Sequence, residues 1–346
     1  MKRQIIFILV GWLYCNISLT AYENTVYLPY YRLPRIHTAA QEPSSPFDFS
    51  KYDPELRIPY RETYSRSGIQ PFQEYLIAAL ASGRVTQINY FRVLPAPKGD
   101  LDRSGFYETH MAYLQKLRRA YGFRLGLCVA GASSRFLPAL KNAELRQRLA
   151  QNLIALAQTW QLDAVDFDWE YPRNKKDMDA YIALISAVRE GVRKRRRGKD
   201  NFRVSVAISR RQAALSTELF QAVDMVNFMG YDFAPRHSTM EDITEMVDYL
   251  SVRYVIPPKK IFLGMPFYGK EMKNGRRKAR TYQSLSEDFD LKPQDNEVDN
   301  YYFNGQSMIA QKFAFAQEKG LGGTMIWEIG QDSKDHRSLL KMFPRQ

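Results

Sequence analysis

Residues 162–172 read Leu-Asp-Ala-Val-Asp-Phe-Asp-Trp-Glu-Tyr-Pro, which places four carboxylates, Asp163, Asp166, Asp168 and Glu170, within eight residues. Val165, Phe167 and Trp169 alternate with the last three acids, and a period of two predicts a β-strand. Side chains two residues apart on a strand share a face, about 6.5–7 Å from one another. Asp166, Asp168 and Glu170 are therefore expected as a column on one face. Burying such a column is costly unless it has a use. Like charges this close do not all ionise freely, so at least one carboxyl is expected to keep its proton near neutrality. A carboxylic acid held protonated can act as a general acid, as glycoside cleavage requires. Two other readings fit the acids alone. A solvated edge strand would not carry Phe167 and Trp169 on its opposite face. Hard cations also bind carboxylates, but the four histidines, His37, His110, His237 and His336, are scattered. Neither a metal nor a cofactor is expected. Asp163 has the opposite parity to the column, which predicts a structural role.

The column needs a scaffold. Short apolar segments alternate with helix-length amphipathic ones along the chain. Strands are expected at Leu56–Tyr60, Val85–Tyr90, Arg124–Ala130, Ala164–Asp168, Arg203–Ile208, Met225–Met229, Lys260–Met265 and Gly323–Trp327. Helices are expected at Phe72–Leu80, Tyr107–Tyr121, Ala143–Thr159, Asp177–Arg195, Thr217–Ala222, Met240–Arg253 and Ser307–Lys319. Eight strands alternating with helices predict an α/β fold, a (β/α)8 TIM barrel, with chemistry at the C-terminal ends of the strands. The acid column then lies at the mouth of the fourth strand.

The 346 residues, 45% of them hydrophobic, can bury a large core. Lys2-Arg3 followed by the apolar run Ile5–Cys15, with Ala21 before a cut, reads as a signal peptide over residues 1–21. A secreted or periplasmic location follows, with an uncleaved anchor as the alternative; the run is too short for a stable membrane span. Residues 22–52, rich in Pro and Tyr, read as an extension or linker, and 53–346 as the catalytic domain. Removing the leader leaves Cys128 alone, so no internal disulfide is expected. The net charge of +13 is concentrated in two basic runs, 193–199 and 276–280. They could contact nucleic acid or an anionic cell wall. A solvated helix end and loop account for them more simply, since cations suit a helix C-terminus. No nucleic acid partner is expected, and the chain is read as a monomer.

At this point the segments match a known pattern. Asp163-x-x-Asp166-x-Asp168-x-Glu170 followed by Tyr171-Pro172 resembles the signature of glycoside hydrolase family 18, the chitinase-like enzymes. Val226-Asn227-Phe228-Met229-Gly230-Tyr231-Asp232 resembles that family's sixth-strand motif. Gly264-Met265-Pro266-Phe267-Tyr268-Gly269 and the segment 320–328, which contains Trp327, resemble its seventh and eighth. Arg84–Tyr90 resembles its second. The resemblance covers residues 56–332, in the expected order.

The resemblance implies a secreted hydrolase that cleaves β-1,4 bonds at N-acetylglucosamine in chitin or chito-oligosaccharides, with retention. The substrate's own acetamido group would attack the anomeric carbon, an exception to the two-carboxylate scheme. Glu170 would be the acid and base, Asp168 would hold the acetamido group, and Asp166 would share a proton with Asp168. Tyr231 would donate to the acetamido oxygen. Asp232, Met229 and Tyr268 would line the sugar site, and Trp327 would form its apolar floor.

Two departures stand out. Cys128-Val129-Ala130-Gly131 takes the place of the family's Ser-x-Gly-Gly, which alters the tuning of Asp166. About fifty residues separate the seventh and eighth strands, which suggests no large insertion domain there, a shallow cleft and an endo mode of attack. Other readings remain open: an endo-β-N-acetylglucosaminidase on N-glycans, a hydrolase of peptidoglycan, or a non-catalytic, lectin-like chitin-binding barrel.

Overall fold

The computed structural model describes residues 22–33, 71–196, 201–210, 212, 215–272 and 278–345. Its strands, in chain order, are β1 (Glu23–Pro29), β2 (Gln87–Ala96), β3 (Asp100–Asp102), β4 (Arg124–Ala132), β5 (Ala164–Glu170), β6 (Arg203–Ile208), β7 (Met225–Phe228) and β8 (Ile261–Pro266), then β9 (Tyr268–Glu271), β10 (Ala279–Thr281), β11 (Glu297–Val298), β12 (Tyr301–Tyr302) and β13 (Gly323–Trp327). Eight of them, β1, β2, β4, β5, β6, β7, β8 and β13, form the parallel barrel. It closes where β1 pairs with β13 on one side, Glu23 opposite Gly323, and with β2 on the other, Thr25 opposite Gln87.

The expected first strand is corrected. The barrel opens with Glu23–Pro29, which lies inside the span read as an extension, whereas Leu56–Tyr60 falls outside the described residues. In Glu-Asn-Thr-Val-Tyr-Leu-Pro only Val26 and Leu28 join the main apolar core, while Thr25 and Tyr27 alternate with them. A strand with polar residues on its inward face lacks the apolar run that marks a fully buried strand. The expected leader, residues 1–21, also lies outside the described residues.

The second correction concerns the segment between the seventh and eighth barrel strands. A four-stranded antiparallel sheet of order β10-β9-β12-β11 occupies it, with a helix at Tyr282–Asp288. An insertion domain is therefore present, and the expectation of none fails, along with the shallow-cleft argument built on it. The sheet escaped notice because its strands are two to four residues long, below the length at which alternation is legible. Asp299 and Asn300, both at positive φ (42° and 63°), make the tight turn between β11 and β12. Two central residues of that kind form a hairpin turn whose twist matches the strands.

Helices wrap the barrel, and their apolar faces meet the outward residues of the strands. Leu149, Leu153, Ile154 and Ala157 of the helix Ala143–Thr159 are buried, as are Tyr181, Leu184, Ile185 and Val188 of Lys175–Arg195. Asn142 and Asn174 cap these two helices by accepting from the backbone N–H of Leu145 and Asp177, as short polar side chains do at N-caps. Inside the barrel sits a second, smaller cluster: Tyr27, Cys128, Ala130, Met225, Tyr231, Phe262, Tyr268 and Met325, with Phe91, Met229 and Trp327 packed against it. The acids stand among these residues. Among the described residues no helix is long and apolar enough to cross a membrane.

The basic runs are largely used within the fold where they are described. Arg193 reaches Asp224 at 3.4 Å, Arg196 donates to the Leu162 carbonyl at 2.8 Å, and Arg280 pairs with Asp288.

Candidate active site

The column forms as the alternation requires. Val165, Phe167 and Trp169 enter the outer core, and Asp166 and Asp168 are buried on the barrel side, with Glu170 exposed at the strand's end. Trp169 stacks on Phe136, with ring centres 4.9 Å apart, and its Nε1 donates to Ser133 Oγ at 3.0 Å. Trp160, too, packs against the core.

Asp166 is fully enclosed and accepts four hydrogen bonds. Oδ2 receives Tyr27 Oη at 2.6 Å and Cys128 Sγ at 3.3 Å; Oδ1 receives Ser205 Oγ at 2.5 Å and Asn227 Nδ2 at 2.9 Å. Burial pushes this carboxyl up, and all four donors pull against the push. Burial also raises the Tyr27 phenol and the Cys128 thiol, and Asp166 beside them adds to it. Both therefore stay protonated and keep donating.

Asp168 meets the opposite surroundings. Its Oδ1 is buried and has no hydrogen-bond partner among the described residues. Burial first, then the charges of Glu170 and Asp166, push its carboxyl well above the usual range, while Arg92 opposes them. A buried carboxyl without donors keeps its proton. Of the acids on the column, Asp168 is thus the one whose surroundings most favour the protonated form.

Tyr231, just past the end of β7, the sixth barrel strand, is buried, and among the described residues its hydroxyl meets the Met325 sulfur at 3.7 Å. Burial raises its phenol well above the ordinary value, with Asp168 the next contributor. Asp232, in the left-handed region at φ 68°, accepts from Tyr268 Oη at 2.5 Å and pairs with Lys270 Nζ at 2.6 Å. Burial works to raise its carboxyl, but the bonds from Lys270 and Tyr268 win and hold it low. Tyr268 and Lys270 belong to β9, so the inserted sheet pins this edge of the mouth. Trp327, at the end of β13, lies edge-on to Phe91 with ring centres 4.8 Å apart and 5.5 Å from Tyr27. Met229 packs against the same inner cluster.

Asp163 is structural, as its parity predicts: Arg118 Nη2 reaches Oδ1 at 2.5 Å and the Leu125 N–H reaches Oδ2 at 2.8 Å. Sequence reasoning missed Tyr27, Ser205 and Asn227, the three oxygen and nitrogen donors to Asp166. Ser205 and Asn227 had a signal, since each is a polar residue among apolar neighbours on its strand, whereas β1, which carries Tyr27, is polar along its first three residues. Among the described residues no group of three or more His, Cys, Asp or Glu could hold a metal ion.

Residues 59–332 match the model of a family described as Glycosyl hydrolases family 18. The chain belongs to glycosyl hydrolase family 18. The family 18 match begins downstream of β1, although β1 closes the barrel. Chitinase 1 of Aphanocladium album is 25% identical over 258 residues, covering 60% of this chain and 61% of that protein. Endochitinase 1 of Metarhizium robertsii is 24% identical over 261 residues, with 60% and 61% covered. The chain thus spans about three-fifths of the length of these curated relatives. A chitinase from Bacteroides thetaiotaomicron has the same fold, with a TM-score of 0.70, 19% identity, and 94% of this chain and 96% of that one covered.

Proposed function

We propose that this family 18 chain is a retaining hydrolase of β-1,4 bonds at N-acetylglucosamine, acting by substrate-assisted catalysis. The observation that carries the reading is the contrast along β5: a buried Asp168 whose Oδ1 lacks a donor, two residues before an exposed Glu170. A buried, protonated Asp168 is a poor nucleophile, so the attacking oxygen comes from the substrate. An acetamido N–H is the donor that Asp168 Oδ1 lacks, and Tyr231 offers a hydroxyl to the acetamido oxygen. Glu170 gives its proton to the glycosidic oxygen as the bond to the anomeric carbon breaks. The acetamido oxygen bonds to that carbon and the nitrogen becomes cationic. Water then attacks the same carbon, Glu170 takes its proton, and the acetamido bond is released. Trp327 supplies an apolar face beneath the sugar, and Asp232 a polar edge.

Relatives named chitinases support a β-1,4-linked N-acetylhexosamine chain as the substrate class. Export belongs to the same proposal: a cut after Ala21 leaves β1 whole. Release of a fluorophore from chitobiose and chitotriose conjugates, compared with Glu170→Gln, tests the reading. Equal release by both proteins removes Glu170 as the acid. Tight oligosaccharide binding without release by either supports a lectin-like barrel instead.

A further inference from the structure

Arg92 occupies an unusual place on the rim of the mouth. Phe91 pairs with Cys128 of β4, and Val93 pairs with the very next residue, Val129, so Arg92 is the extra residue of a bulge. Bulges beside active sites re-aim a side chain that regular pairing would send elsewhere. The Arg92 guanidinium carbon lies 5.1 Å from the centre of the Phe91 ring, and that ring is edge-on to Trp327 at 4.8 Å. One aromatic ring therefore separates the cation from the floor on which the sugar rests.

Neighbouring arginines make direct ion pairs and Arg92 does not, although Asp102 lies within reach of its charge as of that of Arg135. Arg32 pairs with Glu328 at 2.5 Å and Arg135 with Asp102 at 3.3 Å. Among the described residues Arg92 makes no hydrogen bond or ion pair; its contact is the Phe91 face. It is half-buried, and Tyr31, 58% exposed, lies within reach of its charge. Its charge is also felt by Asp168. A guanidinium whose recorded contact is an aromatic ring keeps its donor fork for a ligand, and that fork fits a carboxylate with two parallel hydrogen bonds. The acid column by itself would repel an anionic glycan, and an unpaired cation at the rim offsets that repulsion.

We propose that Arg92 binds a carboxylate carried by a sugar of the glycan seated on Trp327, so that this site prefers an anionic N-acetylhexosamine chain to a neutral one. The inference rests on the glycan-hydrolase reading and names its substrate class. Two sources present the same group: a lactyl ether on an amino sugar, or the ring carboxylate of a uronic acid.

The test separates them and does not depend on turnover. Calorimetry on the Glu170→Gln protein, with and without Arg92→Met, would use three tetrasaccharides: N-acetylglucosamine alone, N-acetylglucosamine alternating with N-acetylmuramic acid, and N-acetylglucosamine alternating with glucuronic acid. At least one anionic chain is expected to bind about tenfold more weakly once Arg92 is replaced, and the neutral chain less than about twofold. Arg92→Lys, which keeps charge but not the fork, is expected to fall between, and serves if the Met variant does not fold. Equal losses for all three chains, or no loss for any, overturns the inference. If Glu170→Gln releases fluorophore as well as the unaltered protein does, the hydrolase reading fails separately, and the binding ratio still decides the role of Arg92.

Discussion

Asp166 and Asp168 stand two residues apart on one face of β5, yet Asp166 accepts four hydrogen bonds and Asp168 Oδ1 accepts none. The pair divides its labour by surroundings alone. One carboxylate is held in place from both sides, and the other is left with a buried acceptor that no described donor fills.

Asp168→Asn tests that division through stability. The folded carboxyl is held well above its unfolded value, so the native state binds the proton more tightly than the unfolded chain. Stability is then lost as pH rises from about 4, the unfolded value, toward the folded one. Asn cannot ionise. The variant is expected to gain on the parent as pH rises through that window, while hydrolysis falls. Urea melts across the acid-to-neutral range would show it, and a pH-independent difference counts against it.

Glu170→Gln is expected to lower kcat by about 10²–10⁴. Glu170 is exposed and makes little of the core, so the melting temperature should hold. A large loss of stability would mean the activity loss says nothing of acid catalysis.

Tyr27→Phe removes one of the four donors to Asp166 and leaves a buried acceptor short, at a cost of about 1–3 kcal/mol. The lost donor favoured the charged carboxylate, so Asp166 should titrate at higher pH in the variant. The acid limb of the pH–rate profile is the readout, and it should move upward.

Arg32→Ala asks whether Glu23–Pro29 is a working part of the barrel. Arg32 follows β1 and pairs with the fully buried Glu328 at 2.5 Å. Burial already raises the Glu328 carboxyl, and Arg32 is the first influence opposing it. Removing one partner of a buried pair leaves an uncompensated charge and costs about 3 kcal/mol. Denaturant titration reads this directly.

Trp327→Ala removes the ring that Phe91 and Tyr27 hold in place. A fall in kcat/KM of about tenfold to a hundredfold is expected from the lost apolar contact, with Phe at the same position restoring part of it. Unchanged kinetics on chito-oligosaccharides would remove Trp327 from the sugar site.

Much of the molecule could be read without coordinates, because period-two and period-3.6 patterns are local. The alternation from Ala164 to Glu170 determined which acids share a face and which aromatics pack behind them. The same rule separated Asp163 from the column. What the tertiary structure alone decided is everything that depends on residues far apart in the chain. Tyr27, Cys128, Ser205 and Asn227 converge on Asp166 from four strands, and Tyr27 is 139 positions away. No local pattern encodes that meeting, nor the orphaned oxygen it leaves on Asp168. The first strand and the inserted sheet were hidden for a related reason: their strands are polar on the inner face or only a few residues long, and closure of the barrel, not an apolar run, holds them in place.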